Sequence, residues 1–385
     1  MTAAEILRAL VAIPTPSSVS NVPLIEWVAQ FLASKQWRVE LFPYTDDNGI
    51  AKANLIARPA NAPEREAPID FAFVCHTDTV PYAETWKDAL NLHASAGAQH
   101  LHGCGSCDVK GALACFLAAL DAGGAIHNNV ALILTADEEI GCKGMDHLLA
   151  ATPLKIRSAI VSEPTSLSPG IAGKGYGLAR IRVTGIEAHS AFPSEGASAI
   201  NIAARFITRV EALVASGSLS SDALFDPART TANVGVIQGG AAKNIVAGEC
   251  SFLVEWRPIP SDSPQRILVE LEVLAHRLQV EDPRVRIHVE QLRAEHGFAP
   301  AANGPLLKRL TALSGQPATG TLAGQLRTPT GISFGSEASR LARIADEVIV
   351  IGPGDMHTAH SDRECVPTAE LEEWTETLRA LLASS

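Results

Sequence analysis

Four apolar runs in this chain each stop at an acid or a histidine: FAFVC before His76, VALILTA before Asp137, Glu138 and Glu139, SAIVS before Glu163, and VIVIGPGD shortly before His360. Strands buried on both faces read as continuous apolar runs, and open α/β sheets receive ligands at the carboxyl ends of their strands. The four polar ends are therefore expected in one crevice. With Asp108 they supply two histidines and several carboxylates, the donors of a divalent-metal site, and the chemistry they point to is hydrolysis.

A chain of 385 residues exceeds the roughly 250–300 at which one hydrophobic core stops growing, so two domains are expected. From Ala3 to about Gly173 helices and strands alternate, the pattern of an α/β domain whose mixed, mostly parallel sheet is flanked by helices. From about Lys174 the order becomes β-α-β-β-α-β, a ferredoxin-like α+β unit, which closes near Gln291. A helix around Pro305–Leu313, an apolar strand near Val348 and a helix from about Pro367 to Leu382 then resume the first pattern. Since His360 belongs with ligands from the first stretch, the catalytic domain is expected over 1–173 and 292–385, with the second domain inserted over 174–291. The polar stretch 322–330 reads as a loop.

The net charge of −11 gives no basis for nucleic-acid binding, which relies on Lys/Arg patches. No apolar run approaches the roughly 20 residues of a membrane span, and MTAAEILRALVAIPTPS has an early acid and no cationic leader, so cytoplasm is the expected location. Hydrophobic residues at 46% against 19% charged supply packed cores and argue against disorder. Seven scattered cysteines suit reduced thiols. The lone C-x-x-C, Cys104 and Cys107, lacks the second ligand pair of a structural zinc site.

His76 and Asp78 stand two apart just past a strand, so Asp78 is expected to accept from the imidazole nitrogen that His76 does not use on a metal. Asp108 precedes a helix, where an N-cap is the rival use. Its approach, HGCGSCDVKG, does not meet the phosphate-loop pattern, and Ser106 has no G-x-S-x-G elbow. Adjacent residues in extended chain project to opposite sides, so one of Glu138 and Glu139 can hold metal while the other faces the attacking water. Glu163, in SEPT, is a buried acid that needs a partner. In MHTAHSDRE both His357 and His360 are candidates, and spacing does not choose between them.

In chain order, HTDTVP, GCGSCDVKGALA, TADEEIGCKG, SEPT, GIEAHSAFP, the segment Gly239–Val246, and GPG followed by TAHSDRE resemble the M20 metallopeptidase and deacylase family across nearly the whole chain. The nearest members remove acyl groups from amino acids. The resemblance implies a catalytic α/β domain with an inserted ferredoxin-like lid/dimerisation domain, hence a homodimer, and a small N-acyl amino-acid substrate. It makes Asp108 the carboxylate bridging two divalent metal ions, with His76 and Glu163 on one and Glu139 and His360 on the other, and so selects His360 over His357. Glu138 becomes the general base, oriented groups such as Asp78 support the catalytic set, and His189 is donated across the dimer to stabilise an oxyanion. Asn244 and Arg257, near the two ends of one lid strand, are implied to contact the substrate carboxylate, with a structural ion pair the rival use of Arg257. Gly352, Pro353 and Gly354 read either as backbone groups offered to the substrate or as a plain turn. A His/carboxylate set without thiolate suits Zn²⁺, with Co²⁺ or Mn²⁺ as substitutes. An inactive metal-binding member could lose its base and keep its ligands; here base and ligands are all present.

Overall fold

Phe71, Ala72, Phe73, Val74 and Cys75 are buried because the strand Ile69–His76 runs through the middle of a sheet, with a parallel neighbour on each side. The computed structural model describes residues 1–65, 67–216, 219–314 and 327–383. They divide into a first unit, Met1–Ile171, Pro300–Thr330 and Ser336–Ser385, and a second, Ala172–Ala299 with Gly331–Gly335.

The large sheet has eight strands, in the order Trp37–Thr45, Ala51–Pro59, Val130–Thr135, Ile69–His76, Ile156–Val161, Ala345–Val350, Gly170–Gly173 and Thr330–Ile332. Its central four are parallel: His76 is paired with Thr135, Val74 with Val161, and Val161 with Val350. Their carboxyl ends therefore emerge at one edge. Ala51–Pro59 and Trp37–Thr45 add an antiparallel margin. The mixed, mostly parallel sheet expected from the sequence is the one observed. The helix Lys110–Asp121 is buried from Lys110 to Leu120 and shares its core with Ala3–Val11, Val22–Ser34 and Thr368–Ala383. Thr2 and Glu5 start the first of these with a capping box, each bonding the other's backbone N–H.

The second unit is a four-stranded antiparallel sheet, ordered Thr231–Gly239, Glu249–Arg257, Tyr176–Thr184 and Arg286–Glu295, with the helices Ala199–Ala215 and Pro264–Glu281 packed on its apolar face. Alternating burial along Tyr176–Thr184 marks one covered and one open face. Its last strand runs to Glu295, past Gln291, and the unit reaches Ala299 because Gly173 and Phe298 exchange backbone hydrogen bonds at 3.0 and 3.1 Å. A three-stranded sheet of Cys365–Pro367, His100–His102 and His93–Ala94 was not foreshadowed by any apolar run. Of the expected loop 322–330, residues 322–326 lie outside the described residues. No helix among the described residues is long and apolar enough to cross a membrane.

Candidate metal centre

The parallel strands deliver their terminal donors to two groups that share Asp108. His76, Asp108 and Glu163 form one, and Asp108, Glu139 and His360 the other; within each, one donor atom per residue lies within 4.8 Å of the rest. Asp108 spans them: Oδ1 is 3.1 Å from His76 Nε2 and Oδ2 is 3.1 Å from His360 Nε2. Glu139 Oε1 stands 3.2 Å from the same His360 nitrogen. Asp108 is not spent as a helix cap, since the helix it precedes has no side-chain cap. His357 is exposed and turned to Asp355 at 2.8 Å, outside both groups.

Two of the donor-bearing backbone segments are fixed by an acid. Glu364, buried, accepts from the N–H groups of Gly105, Cys107 and Asp108 at 3.0, 3.1 and 3.1 Å, which pins the loop carrying Asp108. Asp78 accepts from Glu138 N–H at 3.0 Å, Glu139 N–H at 3.3 Å and Ser17 Oγ at 2.7 Å. Asp78 also corrects an expectation. It meets His76 Nδ1 through its carbonyl oxygen at 3.0 Å, while its carboxylate stays 3.6 Å away because both oxygens are committed to the Glu138–Glu139 turn and Ser17. The imidazole still donates Nδ1–H and keeps Nε2 for the shared site. Asp137, at a left-handed φ of 56°, is held by Lys52 Nζ at 2.7 Å and by the Tyr44 hydroxyl at 2.8 Å.

Charge is concentrated here, and the two histidines compensate the carboxylates only in part. Burial first, and then the charge of Asp108, push Glu163 well above the ordinary carboxylate range, and its Oε1 is buried with no hydrogen-bond partner among the described residues. Burial pushes Glu138 up to about 8. Hydrogen bonds to Asp108 and then Glu139 raise His360 to about 10. Burial would lower His76, but Asp108 and Asp78 raise it well above its usual value; conversely, burial would raise Asp108, yet its bonds from His360 and His76 hold it below the carboxylate range. Such a field calls for positive charge. Two donors about 2.0–2.1 Å from a tetrahedral ion stand about 3.3 Å apart, close to the 3.1–3.2 Å seen here. Nitrogen and carboxylate donors with an orphaned buried oxygen fit divalent cations.

His189 is exposed in the second unit, bridged to Ile245, and Asn244 beside it accepts from Ser190 N–H at 3.0 Å. Asn244 sits in the turn before the strand, which starts only at Glu249, and not at its end. Arg257 closes that strand, ion-paired to Glu255 at 2.8 Å and stacked 4.5 Å over Tyr176. Gly354 has its N–H on Glu370 at 2.8 Å and its carbonyl on Ser166 N–H at 2.6 Å. With φ at +94° and an added Cβ only 2.4 Å from Cys107 Cβ, it serves close packing. All seven cysteines are unpaired thiols.

Sequence reasoning missed Glu364 and Glu337. Glu337 is buried, with burial lifting it to about 7 and the charge of His76 acting on it. Neither follows an apolar run; the stretch S-D-R-E was the only signal for Glu364.

A model described as peptidase family M20/M25/M40 matches residues 72–384. The chain is 39% identical over 366 residues to an acetylornithine deacetylase of Myxococcus xanthus, covering 95% of this chain and 92% of that one. It is 30% identical over 397 aligned residues to an acetylornithine deacetylase of Yersinia pseudotuberculosis, at 98% and 96% coverage. Among solved structures, a tripeptidase of Staphylococcus aureus has a similar fold, with TM-score 0.75 at 20% identity over 99% of this chain and 97% of that one. An M20 family metallo-carboxypeptidase of Sulfolobus solfataricus gives 0.70 at 14% identity, with 98% and 97% covered.

Proposed function

The chain belongs to peptidase family M20/M25/M40, an amide-cleaving, metal-dependent family, and on that premise we propose that it is an N-acyl-amino-acid amidohydrolase, in the first place an acetylornithine deacetylase of arginine biosynthesis. The observation that carries this reading is the placement of Asp108 between His76 and His360, at 3.1 Å from each, with Glu163 and Glu139 completing a donor group on either side. His76, Asp108 and Glu163 would hold one divalent ion, and Asp108, Glu139 and His360 the other, with Zn²⁺ the expected metal and Co²⁺ or Mn²⁺ able to replace it.

When bound, such ions polarise the amide carbonyl and make water easier to ionise. Glu138 lies beside the ligand Glu139 but its carboxylate makes no hydrogen bond to a histidine among the described residues, so it is the group left to take a proton from the attacking water. The same oxygen then gives that proton to the departing amine nitrogen. Asp78 orients the pair by holding both backbone N–H groups. His189 is assigned to oxyanion stabilisation in the active site of a partner copy, through an inserted domain that acts as lid and dimerisation surface. Asn244 and Arg257 are assigned to the substrate carboxylate, Arg257 by exchanging its ion pair with Glu255 for the ligand. On this reading the protein is a cytoplasmic homodimer acting on a small substrate, with no membrane partner, and the net charge of −11 supports the absence of a nucleic-acid partner.

Two measurements test this reading together: metal content, and kcat/KM on N-acetylornithine, N-acetylcitrulline, N-succinyl-diaminopimelate and dipeptides. The expected result is two ions per chain and the highest kcat/KM on N-acetylornithine, lost on chelation. Preference for a succinyl amide, the citrulline derivative or a peptide would move the chain to another activity of the family. No turnover of any of them by the metal-loaded protein would overturn the enzyme reading.

A further inference from the structure

Three histidines outside the metal centre meet on the small three-stranded sheet of the first unit. His93 is directly opposite His102 in antiparallel register, and His100 lies two residues before His102 on the same strand. All three side chains therefore leave the same face. Directly opposed residues keep their Cβ atoms about 4.5–5.5 Å apart, within mutual reach of imidazole rings. The rings of His93 and His102 stack with centroids 5.4 Å apart, and that of His100 lies 6.5 Å from His102. Between them Leu101 points into the core, while the histidines remain partly or fully exposed.

Protonating these neighbours together is unfavourable, because like charges placed opposite one another repel. Burial first, and then His93 and His100, hold His102 below its ordinary pKa. Neutral imidazole is the form that binds metals. His93 Nδ1 lies 3.1 Å from the carbonyl oxygen of Asn91, so Nδ1–H donates there and Nε2 keeps its lone pair, the arrangement that orients metal-bound histidines. The rings of His100 and His102 make no hydrogen bond among the described residues. Cys365 stands opposite His102 on the third strand, but Thr358 engages its thiol, which leaves the three imidazoles as the donor set.

We propose that His93, His100 and His102 form a second, solvent-accessible site for a transition-metal ion of the Zn²⁺, Ni²⁺ or Cu²⁺ class. Nitrogen donors without carboxylate select these ions over Mg²⁺, Ca²⁺ or Mn²⁺. As they stand the three rings do not bring one donor nitrogen each within 4.8 Å of the others, so binding requires them to turn about χ2, and the ion would then tie the two strands together.

The test uses the full chain, loaded at its carboxylate centre and freed of excess metal, then titrated with Zn²⁺ by calorimetry and with Cu²⁺ by electron paramagnetic resonance. The expected result is one further ion per chain, with hyperfine coupling to at least two imidazole nitrogens. His93→Asn and His102→Asn should each weaken that binding by about tenfold or more while leaving kcat/KM at limiting metal unchanged. Circular dichroism of both variants guards against loss of fold. No further ion, or a further ion whose binding neither substitution alters, would overturn the proposal.

Discussion

Glu138 and Glu139 are adjacent, yet only Glu139 has its carboxylate within reach of His360, at 3.2 Å. Glu138 instead accepts from the Cys142 thiol at 3.4 Å. On the proposed roles, Glu138→Gln keeps metal content and lowers kcat by about 10² or more, the scale of a lost general base, whereas Glu139→Ala lowers metal occupancy first. Metal analysis alongside kcat checks this; equal metal loss in both variants would contradict the division of labour. The five ligand-type residues were legible because each belongs to a residue class that binds cations and four of them follow a strand end. The choice of His360 over His357 was not legible from spacing, and needed the family resemblance. The work that Glu364 and Asp78 do was harder to read for a physical reason: their partners include backbone N–H groups, which nearly every residue type carries, so spacing marks Asp78 as a candidate beside His76 but not as the anchor of the Glu138–Glu139 turn.

At the scale of single elements, the turn from Asp137 to Cys142 is wedged between the strand Val130–Thr135 and the helix Lys143–Ala151. Asn54 fastens it, accepting from Ala136 N–H at 3.0 Å and donating to the Gly144 carbonyl at 2.8 Å. A Cβ on Gly144 would lie 2.1 Å from the backbone oxygen of Ala136, so the helix can approach only without a side chain there. Gly144→Ala should therefore cost about 1–3 kcal/mol, as overpacking does, and lower kcat by displacing Glu138; a thermal melt and a rate unchanged from the parent would refute the wedge. The long buried strands were readable from uninterrupted apolar runs, and the inserted unit from its element order. Gly170–Gly173, Thr330–Ile332 and the strands bearing His93 and His102 were not, since runs of two to four residues are too short to show a period and owe their conformation to the neighbours they pair with.

For the whole molecule, clustered acids make stability depend on metal and pH together. Without metal, burial lifts Glu138 to about 8 and Glu337 to about 7, and Glu163 well above its usual range. Unfolded, such carboxyls titrate near about 4.3. The folded chain thus holds protons that the unfolded chain has lost, and its stability falls as pH rises from about 5 to 8. Melting of the chelated protein is expected to show this decline, and added divalent metal to flatten it, since the ion supplies the positive charge in place of protons. A metal-free melt that stays level or rises over this window would speak against uncompensated charge. Complementation tests the role assigned to His189: mixing Glu138→Gln with His189→Ala chains should restore part of the activity through hybrid dimers. Failure to recover any rate despite verified subunit exchange would exclude action in trans.

The most direct measurement is anomalous diffraction at the zinc edge from crystals of the metal-loaded protein. Two peaks are expected, one among His76, Asp108 and Glu163 and one among Asp108, Glu139 and His360, with one oxygen of Asp108 on each. A peak that leaves Asp108 unligated, or no peak among these five residues, would contradict the shared centre on which the proposed chemistry rests.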